Sequence, residues 1–364
     1  MAGYRTADAA YLEQFAHAIF ASAGTPDDIA THVARHLVRA NLSGHDSHGV
    51  LRIPQYVQFI DDGMIRPAAQ PKVMLEHGAT ALVGAQRGFG QYSTSVALEL
   101  AIRKAEEFGV GLVTVRQGNH IGRVGEYTEE AARRGFVAQV FGGTAGANVR
   151  PAAPFGAAGA ALGTNPFSVG VPTSGSDPVL IDFATTVLAE GKLRIYRVKQ
   201  EELPPDVIVD RDGDPSVDVE DFYSRGGMLK PIAAHKGSGL SLATALLGGL
   251  AAIGEADPSS NGTAPQPPTE GGRDRTAGIF LLVISPGAFG DADVYRDTVS
   301  RTVRAIKAAP TAPGVEEVLV PGEPEFRSRE DRQKDGIALP DGTWDELGAV
   351  AQRFGLDMPP TRPS

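Results

Sequence analysis

The sequence predicts an α/β protein with a helical part built from its two ends. Three observations carry this. Residues 6–61 repeat apolar side chains at helical spacing. From about residue 71 the texture becomes strand, helix, strand, helix, strand, the mark of an α/β unit. Residues 330–336 and 343–354 again read as helices, free to return onto the first part. The expected division is residues 1–70 with 315–364 as the helical domain, and residues 71–314 as the α/β domain.

Each element has a local reason. Leu12, Phe15, Ile19 and Phe20 form one helical stripe, and Ile29, Val33, Leu37 and Val38 a second. Thr25-Pro26-Asp27-Asp28 reads as a helix start, with Thr25 as N-cap, Pro26 at N1 and acids in the first turn. Ile53 to Ile60 continues as helix until Gly63. Val73–Leu75 and Thr80–Val83 are short strands. Tyr92–Phe108 is a helix closed by Gly109. Val110–Val115 is a strand, Gly125–Arg134 a helix stopped by Gly135, and Phe136–Phe141 a strand. Leu162–Val171 and Val179–Phe183 are extended, and residues 204–219 are turn-rich. Ser238–Ile253 is an apolar helix, residues 257–277 a Pro/Gly/polar loop, Ile279–Ile284 a strand and Val294–Ala308 an amphipathic helix.

Composition narrows the function classes. The chain has 364 residues, no Cys and a formal net charge of −10. Without Cys there is no disulfide framework, thiol catalysis or Cys-ligated metal. The acidic balance argues against nucleic acid and acidic lipid as partners. No apolar run reaches membrane-spanning length, and the start MAGYRTADAAYLEQF lacks the pattern of a targeting signal, so a cytoplasmic protein is expected. The 44 Gly and 26 Pro exceed average usage of about 7% and 5%. Either they are loop filler, or the backbone repeatedly turns and approaches something closely.

A dinucleotide turn of the Rossmann type is absent. The strand ending at Phe141 is followed by GGTAGANVRPAAP, whose glycines miss the G-x-G-x-x-G spacing. Pro151 and Pro154 exclude the helix that would face a pyrophosphate. No G-x-x-x-x-G-K-[ST] occurs. The segment Gly142-Gly143-Thr144 is then read as a Gly-rich turn, either a plain turn or a nest of N–H groups for an anion.

The chemistry-bearing residues are few, because His occurs only eight times. His32 and His36 stand at i, i+4, a metal-capable spacing, but no carboxylate joins them, so a solvated helix face is expected and no metal. The stretch Gly44-His45-Asp46-Ser47-His48-Gly49 is richer, and Arg52 and Tyr56 share a face with His48 if residues 47–60 are helical. An imidazole suits proton transfer and an Arg suits bidentate capture of a carboxylate. Together they describe a site for a small carboxylic acid. The competing reading is a helix start capped by Ser47 or Asp46, with His48 incidental. His120 lies where a strand ends in an α/β unit, a usual ligand position, or is a loop histidine. Asp182 caps a helix or reads a ribose. His235 and Lys236 precede the apolar helix and suit phosphate, or are surface residues.

Six motifs in order carry a resemblance. SHGVLRIPQY (47–56), GNHIGRVGEY (118–127), LGTNPFSV (162–169), IDFATT (181–186), HKGSGL (235–240) and VPGEPE (320–325) resemble the malate/L-lactate dehydrogenase-like family of NAD(P)-dependent oxidoreductases, over about residues 8 to 350. The resemblance implies a mixed-sheet cofactor domain of non-Rossmann type and a homodimer. It implies His48 as proton donor in reduction, Ser47 as its relay, and His120 as catalytic base or cofactor contact. Arg52 would hold the substrate carboxylate, with Tyr56 and Thr164 also at the substrate. Gly122, Arg123, Val124, Thr144, Asp182, Phe183, Ala184, His235, Lys236, Gly322 and Glu323 would meet NAD or NADP. The implied reaction is hydride transfer to or from a small 2-oxo or 2-hydroxy acid. Reduction of a cyclic imino acid is the alternative on the same scaffold, disfavoured by Lys192 where that branch has an acid. A catalytically silent binding protein is the alternative of another class. In this light the glycines of the motifs read as a backbone folded closely around a cofactor.

Overall fold

The computed structural model describes residues 3–146, 149–252 and 275–362. The chain opens with β1 (Tyr4–Ala7), α1 (Ala9–Ser22), α2 (Asp27–Leu42) and α3 (Ile53–Asp61). The apolar stripes read from the sequence meet here: Leu12, Phe15, Ile19, Ile29, Val33 and Leu37 are all buried in one core. Pro26 rather than Thr25 flanks α2, and no side chain caps it. Residues 46–48 and 50–52 are single 3₁₀ turns before α3, so the continuous helix expected over 47–60 is broken at Gly49.

The α/β part follows with β2 (Lys72–His77), β3 (Thr80–Gly84), α4 (Gly90–Phe108), β4 (Val110–Arg116), α5 (Gly125–Arg133), β5 (Val137–Gly146), β6 (Phe167–Val171) and β7 (Val179–Phe183). Gly109 closes α4 at φ +78°, a left-handed position that glycine adopts without strain. Next come α6 (Glu190–Lys199), β8 (Ile208–Val209), β9 (Pro215–Ser216), α7 (Val219–Ser224), β10 (Met228–Leu229) and α8 (His235–Gly248). The chain ends with β11 (Arg275–Ile284), α9 (Ala292–Lys307), α10 (Glu323–Asp335), β12 (Ile337–Pro340) and α11 (Asp341–Phe354). The loop expected over 257–277 lies outside the described residues up to 274, and Arg275 already belongs to β11.

Seven strands form one mixed sheet in the order β2-β3-β4-β11-β5-β6-β7. Only β3 and β4, joined through α4, run parallel; the other neighbours are antiparallel. Alternate residues face opposite sides. Val83, Val113, Val115, Ala138, Val140, Leu281 and Val283 face α4 and α5. On the other side α8 lies on β5 and β11, so close that a Cβ at Gly143 would fall 2.6 Å from the Ala245 backbone. Phe280, Phe141, Phe167 and Phe183 pack ring to ring across β11, β5, β6 and β7, ending at Phe183 with a 4.5 Å centroid distance.

One expectation is corrected here, and three elements are new. Gly142-Gly143-Thr144 is not a turn: β5 runs through it, paired residue for residue with β11 as far as Gly146 and Arg275. β1 and β12, antiparallel partners from opposite ends of the chain, and α6 went unread. α11 packs against α1 and α3.

Candidate active site

A cleft of about 980 Å³ is walled by the turns at 46–52, the His120 loop, the end of β7, the start of α6 and the start of α10. It brings together Ser47, His48, Arg52, His120, Arg123, Val124, Thr164, Asp182, Phe183 and Ala184, which the sequence scatters over more than a hundred positions.

The two 3₁₀ turns set the first wall. Asn41 fastens them, its Oδ1 accepting from the Val50 N–H at 2.8 Å and its Nδ2 donating to Asp46. Arg332 of α10 clamps Asp46 from outside. Ser47 Oγ and His48 Nδ1 are then hydrogen-bonded at 2.9 Å, and the His48 ring stacks over His120 with centroids 5.4 Å apart. Burial, then His120, then Arg52 hold His48 well below the ordinary imidazole value. Burial and Arg52 bring His120 down to about 3. Both rings are free bases at neutral pH.

His120 has a defined tautomer. The Gln91 amide donates to the Tyr56 hydroxyl at 2.8 Å, so the Tyr56 proton goes to His120 Nδ1 at 2.6 Å. The Nε2–H form of His120 follows. Tyr56 is 1% exposed and lies behind His120, off the cleft surface.

Arg52 presents a partly used guanidinium. Nε donates to the Ser47 carbonyl at 2.7 Å and Nη1 to Gln55 at 2.8 Å, while Nη2 faces Glu190 Oε2 at 3.5 Å. One N–H on each terminal nitrogen stays available for a bidentate carboxylate.

Deeper in, charge is buried as a network. Arg123 is 1% exposed, and its guanidinium lies near Glu129 at 3.4 Å and Asp182 at 3.5 Å. Glu129 also pairs with Arg133 and Arg329, which together with Arg123 hold its carboxyl down to about 2 against the opposing effect of burial. Asp182 accepts from the Gly125 N–H at 2.9 Å, capping the start of α5 from another strand. Arg123 Nη2 remains without a hydrogen-bond partner.

Other expected residues lie elsewhere. Gly122 sits against His36. Thr144 is on β5, its N–H bonded to Asn165 Oδ1. His235 and Lys236 are exposed at the start of α8. Gly322 precedes α10, and Glu323 is held by Lys307 at 2.6 Å. None of these lines the cleft. His32 and His36 do not form a solvated face: His36 is 3% exposed, and its Nε2 accepts the Arg123 N–H at 3.0 Å. Among the described residues no group of three or more His, Asp or Glu is placed to hold a metal. No described helix is long and apolar enough to cross a membrane.

The glycine reading is also corrected. Cβ atoms at Gly49, Gly122, Gly143, Gly163, Gly191, Gly237 and Gly322 would strike Asn41, His36, Ala245, Asn165, Ser47, Ile232 and Phe326 in turn, each at under 3 Å. These glycines let the protein pack on itself, and Gly191 lines the cleft as well. Gln91 and Glu190 were missed. Gln91 is a fully buried polar residue in the polar first turn of α4, where nothing in the sequence sets it apart from its exposed-type neighbours. Glu190 had a signal, an acid at a helix start beside Gly191.

The chain has clear relatives. The malate/L-lactate dehydrogenase family profile matches residues 7–348. Hydroxycarboxylate dehydrogenase B of Escherichia coli (strain K12) is 34% identical over 351 residues, covering 96% of this chain and 94% of that protein. The malate dehydrogenase structure from Pyrococcus horikoshii OT3 superposes with TM-score 0.82 at 29% identity, covering 98% of each chain. A delta1-piperideine-2-carboxylate reductase from Pseudomonas syringae superposes with TM-score 0.79 at 29% identity, covering 95% of this chain and 100% of that one.

Proposed function

The chain belongs to the malate/L-lactate dehydrogenase family, and on that premise we propose that it interconverts a small 2-hydroxy acid and its 2-oxo acid, with NAD or NADP as hydride carrier. The observation that carries the reading is one cleft wall holding His48, His120 and a partly free Arg52. A nicotinamide dinucleotide would supply or accept the hydride. The site residues fit such a group: the cleft is at the upper end of the roughly 300–1,000 Å³ of small-molecule sites, and the buried Arg123 offers an unpartnered N–H at its wall. Arg123, Val124, Asp182, Phe183 and Ala184 would hold it.

The chain's own residues do the rest. Arg52 grips the substrate carboxylate and fixes the C2 oxygen beside the histidines. His48, a free base at neutral pH, accepts the hydroxyl proton in oxidation. In reduction a bound carboxylate offsets the Arg52 charge that depresses His48, easing protonation of His48 before it donates. Ser47 holds His48 Nδ1, and Tyr56 with Gln91 holds His120. Thr164 lines the same cleft and would meet the substrate.

A fold relative reduces a cyclic imino acid, so the test is one panel. Pyruvate, oxaloacetate, hydroxypyruvate and piperideine-2-carboxylate are offered with NADH and NADPH, and absorbance is followed. Turnover of a 2-oxo acid is expected; turnover of the imine alone overturns the reading.

We extend the proposal to the assembly. Leu242, Leu246 and Leu250 are 46%, 55% and 42% exposed in a row along α8 and the turn after it, an apolar stripe suited to a second copy of the chain. Light scattering should give twice the mass of one chain. The helical and α/β parts stay assigned to residues 1–70 with 315–364 and to 71–314. The compartment we propose is the cytoplasm.

A further inference from the structure

We propose that Glu190 limits the substrate to acids with a single negative charge by sharing the Arg52 clamp; this rests on reading the cleft as a 2-oxo acid site. Glu190 is the first residue of α6 and stands on the cleft wall. Its Oε2 faces Arg52 Nη2 at 3.5 Å, and its Oε1 accepts from the Tyr223 hydroxyl at 2.9 Å. Tyr223 is itself fixed, with the Arg197 guanidinium 4.6 Å from its ring centroid. The carboxylate is therefore held in place beside the clamp.

Apart from Lys192, the cations of the cleft are already matched. Arg123 is matched by Glu129 and Asp182. Asp46 is taken by Arg332, and Glu325 faces His45. Arg52 is shared with Glu190. Lys192 is the cleft cation with no ion pair among the described residues. It is exposed, and we assign it to the phosphates of the dinucleotide proposed above. A substrate with one carboxylate uses the free N–H groups of Arg52. A second carboxylate or a sulfonate meets Glu190 without a matching cation, and the cleft rejects it by repulsion.

Glu190→Gln keeps the shape and the Tyr223 hydrogen bond and removes the charge. Two readouts are taken on the full chain. Kinetics compare kcat/KM for oxaloacetate against pyruvate. Thermal unfolding compares stabilisation by malate against lactate, which needs no turnover. The wild type should favour pyruvate and be stabilised by lactate alone. In Glu190→Gln the oxaloacetate-to-pyruvate ratio should rise at least tenfold, and malate should begin to stabilise. A wild type that handles oxaloacetate as well as pyruvate overturns the inference. So does an unmoved ratio in Glu190→Gln, or malate binding that Lys192→Ala abolishes. If no 2-oxo acid is reduced while the thermal pattern holds, the charge selection stands and the proposed reaction fails.

Discussion

Replacing Tyr56 with Phe tests the relay behind His120. The ring would stay in place, because it packs against Phe20 and Phe89 with centroids 6.4 and 6.3 Å away. Only the hydroxyl goes. With it, the Gln91 amide loses its acceptor and His120 Nδ1 loses its donor. Gln91 is 0% exposed, so water does not replace the lost partner. A buried polar group left unpaired costs about 1–3 kcal/mol, so two such groups place the loss of folding free energy at about 2–6 kcal/mol. Urea unfolding followed by circular dichroism measures it at pH 7.5. The same variant frees the His120 tautomer, so kcat should fall more than KM rises. A loss below roughly 0.5 kcal/mol, the size of an ordinary surface change, would refute the relay.

Three further outcomes are expected. Arg52→Ala should raise KM for a 2-oxo acid by about 10- to 100-fold, as loss of a charge-assisted pair worth 1.5–3 kcal/mol implies; an unchanged KM removes the clamp. Glu129→Gln should destabilise by about 3–5 kcal/mol, because it strips the charge that compensates Arg123 and Arg329; a neutral result in calorimetry would show those arginines compensated elsewhere. Acid should weaken the fold before carboxylates titrate: burial holds His36 well below 6.5 and His32 at about 4. Their stabilisation is complete above the unfolded value near 6.5 and is lost as pH falls beneath it, by about 1.3 kcal/mol each between pH 7 and 5.5. His48 and His120 add in the same sense, and Glu126, raised by burial, opposes them. A urea midpoint that does not move between pH 7 and 5.5 contradicts this.

Local signals were legible and long-range ones were not. Apolar spacing exposed α1, α2 and α4, and Gly109 marked a true left-handed stop. β1 and β12 escaped because each is four residues long and is completed only by a partner over three hundred positions away. The stretch after Phe141 misled because Gly suggests a turn, whereas here it lets α8 approach the strand. Within the site, His48, Arg52 and His120 were readable from residue type and motif order. What each does depends on neighbours that no spacing predicts: Gln91 behind Tyr56, and Glu190 across the cleft from Arg52.

His48 is the group that moves the proton of the C2 oxygen. Steady-state oxidation of NADH or NADPH by the best 2-oxo acid, in the wild type and in His48→Ala, tests it directly. The expected kcat is lower by about 10²–10⁴-fold, with unchanged dinucleotide affinity by fluorescence titration. A His48→Ala enzyme that keeps the wild-type kcat contradicts it.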